Sequence, residues 1–143
     1  MRYRKLKRWK YQLMQPFTMT LGFLPPDNIA TEFITLRMTG QLMLKQYYAW
    51  DGASGPCPDT RNIMKGSLVH DALYQLMRLG LLGRRYRKFA DLELKRICLK
   101  SGMNRFWARL IYWGVRVFAG KGVQPLPEPP IYEISYLGYK NKI

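Results

Sequence analysis

The chain holds a single histidine, His70, and Asp71 follows it directly. Only nine residues are acidic, against 24 Lys and Arg. Three of those acids stand in short stretches that could do chemistry together: Asp51-Gly52-Ala53-Ser54-Gly55-Pro56, His70-Asp71-Ala72-Leu73-Tyr74 and Ala90-Asp91. An imidazole held by a buried carboxylate is the orienting half of a general base. The carboxylate fixes the tautomer and stabilises the imidazolium that forms, and an ordinary pKa of ~6.5 lets the ring accept a proton at neutral pH. A second carboxylate beside it, with a loop that offers another carboxylate and bare carbonyls, suits Ca²⁺, which takes roughly six to eight oxygens.

Helical spacing says which residues meet. Val69, Ala72, Leu73 and Leu76 recur as a core stripe. His70, Leu73, Tyr74 and Met77 form the stripe next to it, so His70 borders the buried face with Tyr74 one turn above. On the following helix Ala90, Leu94, Ile97 and Cys98 make the apolar face. Asp91 belongs to that face, while Glu93 points to the basic, wet side. A carboxylate on a core stripe is costly to bury unpaired, so the pattern predicts a hydrogen bond between Asp91 and His70. Asp71 lies about 100° round the helix from His70, which leaves it for a metal. The candidate ligands are Asp51, Gly52, Ala53 and Asp71. The same residues also fit a satisfied core pair that does no chemistry.

The elements that must position them make an α+β domain, a small antiparallel sheet followed by a three-helix core. Residues 1–50 are a basic arm and a β-rich part, with Glu32–Leu36 and Gln41–Trp50 as strands around a Thr39-Gly40 turn. Residues 51–66 are the candidate Ca²⁺ loop. Residues 67–120 are helical: Ser67 caps a helix from Leu68 to about Leu79, and Gly80 and Gly83 bracket a turn. A second helix runs from about Arg84 to Lys100 with Gly102 past its end, and Asn104 caps a third from Arg105 to Phe118. That third helix is apolar nearly all round, which predicts burial or an interface, with an interfacial membrane helix ranked third because that would want a cleaner polar face. Residues 121–143 form a Pro-rich extended tail, with one more short strand at Ile131–Tyr136.

At 143 residues the chain is a single domain that can bury a core without staples. No run reaches the ~18 apolar residues of a spanning helix, and the start lacks the clean apolar run of a signal peptide. Two cysteines, Cys57 and Cys98, are too few for a disulfide scaffold; free thiols are the default and one bridge stays open, and the spacing of a zinc site is missing. The net charge of +15 attracts polyanions: nucleic acid, an anionic membrane surface, or an acidic partner. Arg84, Arg85, Arg87, Lys88, Lys95 and Arg96 make a basic helix face for such a partner, or a plainly solvated one.

The order Asp-Gly-x-Ser in a loop, His-Asp-x-x-Tyr on a helix, and an Asp on the next antiparallel helix resembles the phospholipase A2 superfamily, closest to its small bacterial and fungal branch. The resemblance implies a phospholipase-A2-like helix pair, with His70 as general base for water, Asp91 orienting it and Tyr74 in support. It implies Ca²⁺ on Asp71 and the Asp51 loop, and hydrolysis of lipid acyl esters. The stretches Trp50–Pro56, His70–Tyr74 and Ala90-Asp91 are also similar to a family of phage-encoded proteins of unknown activity, over roughly residues 30–118. That likeness implies a phage or prophage origin, a virion or host-cytoplasm setting, and other virion proteins as partners. It keeps open a non-catalytic role as a virion or tail component, and charge alone keeps open nucleic-acid binding.

Overall fold

The computed structural model describes residues 1–5, 11–52, 60–125, 132–135 and 138–142. The first part supplies seven short strands: β1 (Tyr3–Lys5), β2 (Tyr11–Leu13), β3 (Phe17–Thr20), β4 (Ile29–Ala30), β5 (Ile34–Leu36), β6 (Gln41–Leu44) and β7 (Ala49–Trp50). They form two antiparallel sheets rather than one, in the orders β1-β2-β7 and β3-β6-β5-β4. The expected single strand over Gln41–Trp50 is broken because Tyr47 adopts a positive φ of 75°. The turn at that point carries the chain from one sheet to the other. The basic arm is held by β1 pairing Tyr3 with Leu13, where Tyr3 and Tyr11 pack on Trp50.

Three helices follow: α1 (Arg61–Arg78), α2 (Arg87–Lys100) and α3 (Arg105–Phe118), with 3₁₀ turns at Arg84–Tyr86 and Gly120–Val123. The architecture is α+β. The loop boundary expected at 66/67 moves back to 60/61. Ile63 and Met64 are buried and continue the apolar stripe toward the N-terminus, so the segment with Asn62 and Gly66 is helix. Ser67 is therefore no cap. Its Oγ donates to Met64 O at 2.9 Å and accepts from Trp50 Nε1 at 3.2 Å, which ties β7 to α1.

The helix ends obey the sequence. Gly80 and Gly102 take positive φ just past α1 and α2. In each case two backbone N–H groups return to carbonyls of the last turn: Gly80 to Met77 with Leu81 to Leu76, and Gly102 to Leu99 with Met103 to Cys98. Asn104 caps α3 by accepting from Trp107 N at 2.8 Å.

The helices α1 and α2 run antiparallel and pack closely: Gly66 meets Leu94 and Cys98, His70 meets Asp91, and Tyr74 meets Arg87. One buried cluster joins both sheets to α1 through Leu13, Ile34, Leu42, Leu68 and Leu73. Each such side chain contributes about 1.5–3 kcal/mol on burial. A second cluster of Ile63, Leu94, Cys98, Ala108, Ile111 and Val115 seats α3 against the far ends of α1 and α2. Cys98 is buried, and Cys57 lies outside the described residues.

Two expectations on α2 need correction. Glu93 does not face water: it is only 4% exposed, and it accepts from Gly22 N at 2.7 Å while pairing with Arg96. The basic face of α2 is correspondingly thinner, because Arg96 is engaged there and Arg87 turns inward. The third helix, expected to be buried or an interface, is not buried all round. It buries Ala108, Ile111 and Val115 and leaves much of its remaining apolar surface exposed. In the tail, the expected strand is present as β8 (Tyr132–Ser135), and it pairs with an unanticipated β9 (Gly138–Lys142). The Pro-rich stretch 126–130 lies outside the described residues.

Candidate active site

The helix α1 projects His70 and Tyr74 from one stripe, a turn apart, with ring centroids 4.0 Å from each other. The facing stripe of α2 projects Asp91, which is fully buried. His70 Nε2 and Asp91 Oδ1 are 2.7 Å apart, and Tyr74 OH donates to the same oxygen at 2.6 Å. Arg116 Nη1, from the last turn of α3, donates to Oδ2 at 2.9 Å. Arg87 Nε stands 3.9 Å from Oδ2 and donates to Tyr74 OH at 3.1 Å. The predicted His70–Asp91 pair is therefore present, inside a larger cage of donors.

These donors decide the charges. Burial by itself would raise the Asp91 pKa, but hydrogen bonds from His70, Tyr74 and Arg116 outweigh it and hold the carboxyl below its ordinary value. An ionised carboxylate only accepts, so His70 Nε2 carries a proton toward it. The lone pair of the neutral ring is then on Nδ1. Burial would pull the His70 pKa down, but Asp71 and Asp91 together outweigh it and hold it above the ordinary imidazole value. Of the two, Asp91 is the hydrogen-bond partner. Asp71 Oδ1 lies 3.9 Å from Nδ1, too far for a direct bond, and acts through its charge. The Tyr74 hydroxyl is pushed up by burial and by Asp91, so it stays protonated as a donor.

Asp71 marks the open side. His70 is 2% exposed and Asp71 22%, so solvent reaches the pair past Asp71. Asp71 does not point away from the histidine as its helical position suggested. It lies between His70 and the end of β7, where its Oδ2 accepts the backbone N–H of Asp51 at 3.3 Å. Burial raises its pKa, and the nearby charge of Asp51 adds to that rise against the pull of His70 and the Asp51 N–H.

Two of the candidate calcium carboxylates are thus brought together. Gly52 is buried with a positive φ of 85°, a conformation that favours glycine. Ala53 lies outside the described residues. Among the described residues no group of three or more His, Cys, Asp or Glu gathers around a common point. The donors present fit a hard cation in kind, as two mutually repelling carboxylates.

Sequence reasoning missed Arg87 and Arg116. Arg87 precedes Asp91 by four residues, a spacing that places the two on one helix face and could have been noticed. Its Nη2 also donates to Val115 O at 2.7 Å and Arg116 O at 2.8 Å, so it binds the C-terminal carbonyls of α3 to the site. Arg116 carried no local signal, because its role depends on how α3 crosses the pair. Tyr48 was also unforeseen as a neighbour: its hydroxyl donates to Gln75 Oε1 at 3.1 Å, beside the Asp71 turn.

Compared with family models, curated proteins and solved structures, the chain matches none.

Proposed function

We propose that this protein is a hydrolase in which His70 is the general base for water and a lipid acyl ester is the substrate. The observation that carries the proposal is the ring's placement. Its Nε2 is committed to a buried, ionised Asp91, and its Nδ1 is turned toward the solvent-reached carboxylate of Asp71. A water bonded to Nδ1 and Asp71 Oδ1, with legs of about 2.8 Å, fits their 3.9 Å separation. Nδ1 takes a proton from that water as its oxygen adds to the ester carbonyl carbon. Asp91 stabilises the imidazolium. When the C–O bond to the alcohol breaks, the imidazolium returns the proton to the leaving oxygen, so one water is consumed and an acid and an alcohol are released. Tyr74 and Arg116 keep Asp91 charged and in place throughout.

The resemblance to phospholipases A2 supports this choice of substrate and the Ca²⁺ that goes with it. Asp51 and Asp71 would hold the ion, with Gly52 and Ala53 offering carbonyls, and it would supply positive charge beside the developing oxyanion. The test is fatty-acid release from phospholipid vesicles at fixed Ca²⁺ and again with chelator, comparing the wild type with His70→Asn. Wild-type release no greater than that of the variant ends the proposal.

A second reading rests on a different observation. The donor cage around Asp91 is complete, and His70 is nearly sealed. A scaffold needs just that, and a virion component that keeps the helix pair for stability fits it. The same vesicle assay separates the two, because the scaffold yields no release under either condition.

A further inference from the structure

The helix α3 leaves a broad apolar face uncovered. Phe106, Trp107, Leu110, Trp113, Val117 and Phe118 are all exposed, Trp113 by 58% and Phe118 by 69%. At 3.6 residues per turn they span roughly 140° of the helix. On one side the face continues into a groove of about 740 Å³ between α3 and the start of α1, lined by Asn62, Met103 and Ile111. On the other side stand the exposed Arg105 and Arg109, with Lys95 of α2 over the ring of Tyr112 at 5.7 Å. Soluble surfaces rarely expose contiguous apolar patches this large without a partner.

We propose that α3 is a docking surface for an anionic phospholipid bilayer. The helix lies in the plane of the interface, with its aromatic face at the acyl boundary and Arg105 and Arg109 on lipid phosphates. The composition argues for this occupant. Tryptophan and phenylalanine beside arginine are the residues of an interfacial helix, since aromatic rings settle at headgroup depth and the cations meet anionic lipid. Among the described residues no helix is long and apolar enough to cross a membrane, so the contact is with a surface. A second copy fits less well: α3 carries no acidic residue to meet Arg105 and Arg109, and each chain brings a net charge of +15. Nucleic acid fits less well too. Its phosphates want cations interleaved across the contact, whereas here Leu110 and Val117 occupy the centre and the cations stand on one flank.

Docking does not depend on the hydrolase proposal. The test is flotation of the wild-type chain, in chelator, with liposomes of phosphatidylcholine alone or with phosphatidylglycerol added. The chain should float with phosphatidylglycerol liposomes several-fold better than with phosphatidylcholine alone. Trp113→Asp and Val117→Asp, both at solvent-facing positions, should each weaken binding about tenfold with an unchanged circular dichroism spectrum. Arg105→Glu with Arg109→Glu should remove the preference for the anionic lipid. The proposal is overturned if neither liposome carries the chain. It is also overturned if the lipid-free chain is a stable dimer that Trp113→Asp splits, or if Trp113→Asp abolishes DNA binding and leaves flotation intact. Flotation in chelator together with no fatty-acid release at fixed Ca²⁺ would leave docking standing and remove the hydrolase.

Discussion

Arg116 places its guanidinium Nη1 2.9 Å from Oδ2 of Asp91, the carboxylate whose other oxygen holds His70. Three helices therefore meet on one buried side chain. Arg87 completes the junction by bonding Tyr74 OH and the last carbonyls of α3 with one guanidinium. A cation at a helix C-terminus meets the partial negative charge of its last carbonyls. Here it also fixes the exposed α3 to the pair that orients the imidazole, so the orientation of His70 depends on the seating of α3.

Removing Arg116 should therefore cost stability. Arg116→Met keeps the aliphatic stem and leaves Asp91 one donor short. Arg116 is 28% exposed, so water partly compensates. The expected loss is about 1–3 kcal/mol, below the ~3–5 kcal/mol of breaking a fully buried pair. Urea unfolding reads it directly, and an unchanged midpoint would mean that Arg116 does not hold Asp91 in solution.

The single histidine gives a clean pH measurement. Asp71 and Asp91 hold the folded His70 pKa above 6.5 against the opposing effect of burial. A raised pKa means that the folded state binds the proton more tightly. The contribution to stability is thus full below ~6.5 and is lost as pH rises through the folded value. Asp91, lowered from 3.8, contributes above that value and loses its contribution as pH falls through the folded pKa. The pair stabilises most between these limits. Asp71, whose pKa is raised, has the opposite sense to Asp91, muted by its exposure. A base must be neutral, so turnover should rise with pH through the same His70 transition that lowers stability. NMR titration of the one imidazole in tag-free protein should give a midpoint above 6.5; a midpoint at or below it would contradict the cage geometry.

The parts of the site that were legible in the sequence are those that depend on helical spacing. His70, Tyr74 and Asp91 each lie on an apolar stripe, and burying a charge there demands a partner. In a chain with one histidine, that partner could be named. The ends of α2 and α3 were legible for a similar reason, since Gly102 and Asn104 act on the backbone next to them. Contacts set by the crossing of distant elements were not legible. Glu93 sits among basic neighbours and looks solvated, yet the Gly22 amide 71 residues away claims it. Tyr47 gave no warning of a positive φ, so one expected strand became two in different sheets.

Gly66 was part of an expected loop for the same reason. In the structure it is the close-approach point of α1 and α2. A Cβ there would lie 2.9 Å from Leu94 Cδ1, 3.1 Å from Cys98 Sγ and 3.2 Å from Leu94 O. Alanine gains roughly 1 kcal/mol in helix propensity, but overpacking costs about 1–3 kcal/mol, and the Leu94 carbonyl cannot move aside as a side chain can. Gly66→Ala should lower the Tm by about 2–5 °C, as measured by calorimetry. A higher Tm would show that the helices separate without cost.

The last prediction sets the order of three substitutions in the vesicle assay. His70→Asn should abolish release while the fold survives, because Asn can still hydrogen-bond Asp91 but cannot take a proton from water. Asp91→Asn should do less harm to the rate. The imidazole remains a base and loses its orienting charge, while Tyr74 and the two arginines lose part of their acceptor, so stability falls as well. Asp71→Asn should lower release in a way that added Ca²⁺ partly restores, since one ligand charge goes and Asp51 stays. The scaffold reading predicts a different pattern: Asp91→Asn shifts the unfolding midpoint, and none of the three alters a hydrolytic rate. Assaying all four proteins for release and for urea midpoint places each substitution on two axes. If Asp71→Asn changes neither quantity at any Ca²⁺ concentration, the ion has no site at Asp51 and Asp71.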